Sequence, residues 1–203
     1  MRGLFVTFEG IDRSGKTTQA RLLCEALGAA ALGVREPGGT PAGERVRDLL
    51  KDAAVPLGRE AEALLFAAAR AELVENVIRP ALEEGRVVVS DRFLDSSLAY
   101  QGAARGLGIE EVEAVNRFAT GGLAPDLTFL LELDTTAAAQ RTGERDRFED
   151  EGAGLQQAVL EAYERLVAAD RGRWRRLDAT RSPERVHAEV LGEVEAARSG
   201  AHA

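Results

Sequence analysis

The stretch Gly10-Ile11-Asp12-Arg13-Ser14-Gly15-Lys16-Thr17 fits the pattern G-x-x-x-x-G-K-[ST]. Ahead of it, Leu4 to Phe8 is a short apolar run with the character of a buried strand. Behind it, from Thr17, the apolar positions Ala20, Leu23, Cys24 and Leu27 recur at helical spacing, with Gly28 placed as a C-cap. A glycine-rich turn between a strand and a helix points successive backbone N–H groups inward. The helix N-terminus adds partial positive charge, so phosphate oxygens are favoured there. Lys16 can reach phosphate oxygens as a compact charge on a flexible stem, and Thr17 offers a hydroxyl to Mg²⁺. The competing reading is a glycine-rich turn with a chance Lys. With ordinary residue frequencies such a match arises roughly once in a hundred chains of this length, before the strand–loop–helix setting is required. The basic residues sharpen the point: of 26, only Lys16 and Lys51 are Lys.

Outward from the loop, short apolar runs alternate with helix-period segments, the pattern of βα units around a parallel sheet. Strands are predicted at Leu4–Phe8, Ala30–Val34, Val87–Val89, Leu127–Leu133 and Trp174–Leu177. Helices are predicted at 17–27, 42–52, 59–84, 109–120, 135–142 and 155–169, with a last one opening at Ser182-Pro183-Glu184. Residues 95–106 read as mixed helix and loop, and the glycine- and charge-rich segment 143–154 as a short lid. The expected architecture is α/β: a five-stranded parallel sheet with helices on both faces, one domain over 1–197, and a disordered tail at 198–203.

Composition bounds the function. The chain has 203 residues, 45% hydrophobic and 30% charged, enough for one core of its own. A net charge of −8 argues against a nucleic-acid partner. No run approaches the roughly 18 apolar residues of a membrane span, and the N-terminal decapeptide does not read as a signal peptide. The single Cys24 points to a reducing compartment. The expectation is a cytoplasmic protein.

A phosphate loop alone does not separate a kinase from a switch or a motor. Val87-Val88-Val89-Ser90-Asp91 brings a carboxylate to the end of a second central strand, where Asp91 could hold Mg²⁺ directly or through water, although a turn cap is the plainer reading of an isolated Asp. Arg92 follows it, Arg13 lies in the loop, and Arg141, Arg145 and Arg147 come from the lid and its approach. Converging arginines suit phosphoryl transfer, because catalysis there is mostly positioning and stabilisation of charge on oxygens. Taken singly, each is as easily a solvated surface charge.

The chain resembles the thymidylate kinase family over nearly its whole length. The resemblance is carried by Phe8-Glu9-Gly10, Arg35-Glu36-Pro37-Gly38-Gly39-Thr40, Leu65-Phe66-Ala67-Ala68-Ala69-Arg70 and Asp91-Arg92-Phe93. It continues through Ala99-Tyr100-Gln101-Gly102, Pro125-Asp126-Leu127-Thr128, Asp146-Arg147-Phe148-Glu149 and Leu177-Asp178-Ala179-Thr180. It implies transfer of the γ-phosphoryl of ATP to dTMP, with Mg²⁺, in a homodimer. ATP would be held by Gly10 to Thr17, Thr18 and Arg141, with Arg141 stacking on adenine and Ala179 and Thr180 bordering that base. Phe66 would stack on thymine and Arg70, one turn later on the same helix face, would bond its edge, with Ser97 and Gln101 nearby. Tyr100 would lie where a ribose 2′-hydroxyl would sit, and Asp12 would accept from the 3′-hydroxyl. Arg92 and Arg35 would clamp the acceptor phosphate, while Pro37 shapes the floor and Glu36 lies in the same turn, which reads equally as an ordinary Pro-Gly turn. Thr17 and Asp91 would serve the metal.

In this family the catalytic arginine sits either in the loop or in the lid, and the chain has Arg13 in one and Arg145 and Arg147 in the other; Arg13 is the favoured bridge. Lys16, Asp91, Arg92 and Arg147 complete the expected catalytic set. The alternatives are a kinase for another nucleoside monophosphate or deoxynucleoside, or a non-catalytic nucleotide-dependent switch.

Overall fold

β1 (Phe5–Glu9) is buried at every residue and takes the centre of a parallel sheet. The other strands are β2 (Ala31–Arg35), β3 (Val87–Asp91), β4 (Leu127–Glu132) and β5 (Trp174–Asp178), in the order β2-β3-β1-β4-β5. The computed structural model describes residues 2–141 and 153–200. Alternation along the central strands explains why they read as unbroken apolar runs. Val6, Phe8, Val87 and Val89 enter one core, whereas Phe5 and Val88 enter another on the opposite face. Both faces are covered, so neither side of these strands requires polar residues.

The helices described are α1 (Lys16–Leu27), α2 (Pro41–Lys51), α3 (Arg59–Leu73), α4 (Arg79–Glu83), α5 (Leu94–Ser97), α6 (Ile109–Thr120), α7 (Thr135–Gln140), α8 (Ala153–Ala169) and α9 (Pro183–Gly200). Their starts follow local chemistry. Thr40 caps α2 by accepting the Gly43 N–H at 2.9 Å, with Pro41 in the first turn. Asp134 does the same for α7 through Ala137 at 2.7 Å.

The predicted architecture and its five strands are present, most strand ends lying within a residue or two of expectation. The helix expected over 59–84 is divided: a π-helical turn, Val74–Ile78, separates α3 from α4. Pro80 has no N–H to return to Asn76 and its ring crowds that carbonyl, and a wider turn just ahead relieves both. The mixed segment 95–106 is likewise largely helical. α5 runs into a π-helical stretch, Leu98–Ala104, in which Arg105 N–H reaches back to the Tyr100 carbonyl at 2.9 Å. α9 continues to Gly200, so residues 198–200 end a helix. Most of the expected lid, with Arg145 and Arg147, lies outside the described residues.

Register places the chemistry. Phe8 pairs with Asp91 and Asp91 with Arg35, so the carboxyl ends of β1, β3 and β2 stand at one level. Open α/β sheets bind ligands at that edge.

Candidate active site

The loop after β1 is built around backbone that few residues tolerate. Gly10 has φ 139°, and a Cβ there would lie 2.7 Å from the Leu131 carbonyl oxygen. Gly15, at φ 103°, precedes the first turn of α1. Arg13 adopts φ 63°, a left-handed conformation costing about 1–2 kcal/mol in a non-glycine residue. Its guanidinium donates to the Arg141 carbonyl at 3.1 Å, and Arg141 donates back to the carbonyls of Arg13 and Ser14, each at 3.1 Å. Arg141 also reaches the Ala179 carbonyl. Arg13, Ser14, Arg141 and Ala179, four of the residues expected around ATP, are therefore tied together at the loop. Lys16 is almost fully buried, its Nζ donating to the Ile11 carbonyl at 2.6 Å. Burial, and then the neighbouring Arg92, push its ammonium down to about 8.

At the loop's mouth Thr17 Oγ1 donates to Asp91 Oδ2 at 2.5 Å. A hydroxyl and a carboxylate oxygen thus already share one lip of the site. These are hard oxygen donors, and Mg²⁺ is commonly bound by one or two carboxylates together with substrate phosphates, so the pair fits that ion.

Across the mouth lies Arg92, also left-handed at φ 70°. The turn is fixed from both sides. Arg92 N–H donates to the Phe8 carbonyl at 3.0 Å, and the next N–H, of Phe93, to Glu9 Oε1 at 2.8 Å. The guanidinium donates to Asp12 Oδ1, to Ser96 Oγ at 2.9 Å and to the Gly10 carbonyl at 3.2 Å, and packs 5.1 Å from the Tyr100 ring centre. Burial alone would raise the Asp12 carboxyl, but Arg92 and Lys16 outweigh it and hold the group below its ordinary value. Asp12 Oδ2 also accepts from Gln156 Nε2 at 2.9 Å and faces the Tyr100 hydroxyl at 3.4 Å. Beneath Arg92, the fully buried Glu9 accepts from Ser96 Oγ at 2.6 Å and the Tyr163 hydroxyl at 2.8 Å. Burial first, and the nearby Asp95 second, raise its carboxyl to about 7.

One cavity of about 420 Å³ collects most of the candidates. Asp12, Arg13, Lys16, Thr17, Asp91 and Arg92 line the side at the loop, and Arg35, Pro37, Phe66, Arg70, Ser97, Tyr100 and Gln101 line the remainder together with Glu36, Arg47, Lys51 and Ser96. Gly10, Ile11, Ser14, Gly15, Thr18 and Arg141 do not border it; Ile11 is core, and the glycines have no side chain to present there. Arg70 departs from the expectation of a side chain held ready for a ligand. It is only 1% exposed, and its N–H groups go to Glu36, Ser97, Asn116 and the Phe93 carbonyl. Glu36 Oε1 is buried with no hydrogen-bond partner, leaving an acceptor at this wall. Arg35 is joined to Glu44 by two bonds of 2.8 and 2.9 Å.

Sequence reasoning assigned no role to Glu9, Ser96, Gln156 or Tyr163. Glu9 carried a signal, an acidic residue ending an otherwise buried strand. Gln156 and Tyr163 carried none, since they reach the site from α8 across more than a hundred residues of chain.

The geometry provides an anion-binding loop, a buried lysine, a fixed arginine and an adjoining pocket with an aromatic wall, as a nucleotide phosphotransferase requires. The family model for thymidylate kinase matches residues 8–190. A thymidylate kinase of Halothermothrix orenii is 47% identical over 203 residues, covering 96% of this chain and 97% of the relative. One from Pelotomaculum thermopropionicum is 47% identical, covering 96% and 94%. One from Desulforudis audaxviator is 50% identical, covering 89% and 85%. With likeness of this extent and a site of this construction, the chain belongs to the thymidylate kinase family.

Proposed function

We propose that this enzyme transfers the γ-phosphoryl of ATP to dTMP, giving ADP and dTDP, by in-line attack of a dTMP phosphate oxygen. The observation that carries this reading is the shared cavity: the phosphate loop and the Phe66–Tyr100 wall border the same space. Donor phosphates on the loop and an acceptor along that wall would meet between Lys16 and Arg92. Lys16, drawn off the Ile11 carbonyl, would bind the β- and γ-oxygens. Arg92 would hold the acceptor phosphate, and Arg13 would bridge the two from the loop. Asp12 would accept from the 3′-hydroxyl. Tyr100, close to both Asp12 and Arg92, would fill the place of a 2′-hydroxyl. Phe66 would stack on thymine, with Arg70, Ser97 and Gln101 at its edge. An acceptor phosphate is already anionic near neutral pH, so no strong general base is needed.

Where Mg²⁺ is bound, Thr17 and Asp91 would hold it, and it would supply neutralisation of charge on the donor phosphates. The exposed Leu49, Leu64 and Phe118 stand on α2, α3 and α6, which pack α2 on α3 and α3 on α6; they support a homodimer formed through that face. The free thiol of Cys24 fits a cytoplasmic setting.

The test is to supply ATP labelled in its γ-phosphoryl group, with Mg²⁺ and dTMP, and to locate the label. The reading predicts label in the terminal phosphate of dTDP. Label released only as inorganic phosphate, with or without dTMP, would overturn it.

A further inference from the structure

α3 presents Glu62, Phe66 and Arg70 at successive intervals of four residues, a single stripe along one face. Phe66 and Arg70 border the cavity. Glu62 does not, yet it is only 2% exposed, and its carboxylate meets a residue that does: Gln101 Nε2 donates to Glu62 Oε1 at 3.0 Å. The same oxygen accepts Arg105 Nε at 2.5 Å. Gln101 and Arg105 both stand at the π-helical stretch, where the wide turn and Gly102 bring the backbone against α6; a Cβ at Gly102 would lie 3.1 Å from Ile109 Cα. The glutamine is therefore held on a backbone with little room to shift.

A glutamine amide can present either its oxygen or its NH₂ to a ligand, and the two ends differ little in shape. A carboxylate removes that freedom, since it offers only acceptors and must face the NH₂. We propose that Glu62 is a positioning residue that locks the Gln101 amide with its oxygen toward the cavity, so the site accepts a pyrimidine whose ring nitrogen N3 carries a proton and rejects one whose N3 is a lone pair. This rests on the thymidylate reading of the site. Thymine and uracil have the N3–H. Cytosine would set its N3 lone pair against the Gln101 oxygen, leaving both acceptors unpaired in a buried place, a mismatch that polar sites discriminate strongly.

The experiment measures kcat/KM for dTMP and dCMP with the enzyme carrying Glu62→Gln, Glu62→Ala or Gln101→Leu, and with Glu62→Ala combined with Gln101→Leu. Circular dichroism checks folding of each. Glu62→Ala removes the acceptor and frees Gln101 to turn. In Glu62→Gln, Arg105 Nε holds the amide oxygen where the carboxylate oxygen stood, so the acceptor for Gln101 is kept. The expected result is a fall of roughly tenfold or more in the dTMP/dCMP ratio for Glu62→Ala, and a ratio near that of the wild type for Glu62→Gln. In the Gln101→Leu background, Glu62→Ala should change the ratio no further. An unchanged ratio in Glu62→Ala beside a collapsed one in Gln101→Leu would overturn the lock while leaving the base-reading role of Gln101 standing. A ratio unchanged by Gln101→Leu would instead remove the base-reading assignment on which the lock rests.

Discussion

Glu9 Oε1 accepts the backbone N–H of Phe93 at 2.8 Å, tying the end of β1 to the residue after the left-handed Arg92. The other oxygen holds Ser96, which also takes a bond from Arg92. A buried carboxylate thus sets the angle at which the arginine enters the cavity. Glu9→Gln keeps the acceptor for Phe93 but turns a donor toward Ser96 and Tyr163. It should lower kcat/KM for dTMP by about tenfold, the effect of losing one charged hydrogen bond. Steady-state kinetics checks this.

The same residue makes stability depend on pH. Its carboxyl is raised from 4.5 to about 7 in the folded protein, chiefly by burial. Between those values the native state binds more protons than the unfolded one, so stability is fully present below about pH 4.5 and declines as pH rises through 7. The loss should be on the order of 1–3 kcal/mol. Urea unfolding at pH 5.5 and 8 should show it in the wild type, and Glu9→Gln should flatten this component.

Lys16 titrates in the opposite sense. Its ammonium is pushed down to about 8 in the free protein, and phosphate oxygens at the loop would draw it up again. ATP binding at pH 8 to 8.5 should therefore take up a fraction of a proton, and the Lys16 contribution should vanish near pH 6.5. Calorimetry in buffers of different ionisation enthalpy measures this uptake, with Lys16→Met as the reference.

Arg70 and Glu36 form a pair that is 1% and 3% exposed. Removing one member leaves the other buried and uncompensated, at a cost of about 3–5 kcal/mol. Arg70→Met should show this loss in chemical unfolding, and Arg70→Met with Glu36→Gln should recover part of it. Burial raises the Glu36 carboxyl against the opposing pull of Arg70, so in Arg70→Met it should rise further and the defect should be smaller in acid.

Phe118 is 92% exposed on α6. If that face joins two copies, Phe118→Asp should shift sedimentation toward the monomer and leave the circular dichroism spectrum unchanged. A wild-type monomer would remove the dimer proposal.

The parts of the site legible in sequence are those that chemistry confines to neighbouring residues. The phosphate loop is contiguous, Asp91 ends and Arg92 follows a strand too apolar to misread, and Phe66 and Arg70 share a helix face by spacing alone. The strand alternation that buries Val88 opposite Val87 and Val89 was legible as a covered sheet. The hidden parts depend on tertiary meetings. Tyr163 reaches Glu9 across 154 positions, and Gln156 reaches Asp12 across 144. Neither residue type signals a role by itself. The commitment of Arg70 to Glu36 and Asn116 is hidden for the same reason. The π-helical turns escaped because their composition is that of α-helix, and only crowding at Pro80 and close packing at Gly102 mark where the turn widens.

The most direct test of the central claim is ADP release with ATP and Mg²⁺, alone and with dTMP, dUMP, ribothymidylate, dGMP and dCMP in turn. Strong stimulation by dTMP, weaker by the ribose form and least by dGMP and dCMP, is the predicted result, and Tyr100→Ala should narrow the gap between the two sugars. Equal ADP release with every acceptor, or with none, would contradict the assignment of the Phe66–Tyr100 wall and leave only the phosphate loop as a nucleotide-binding element.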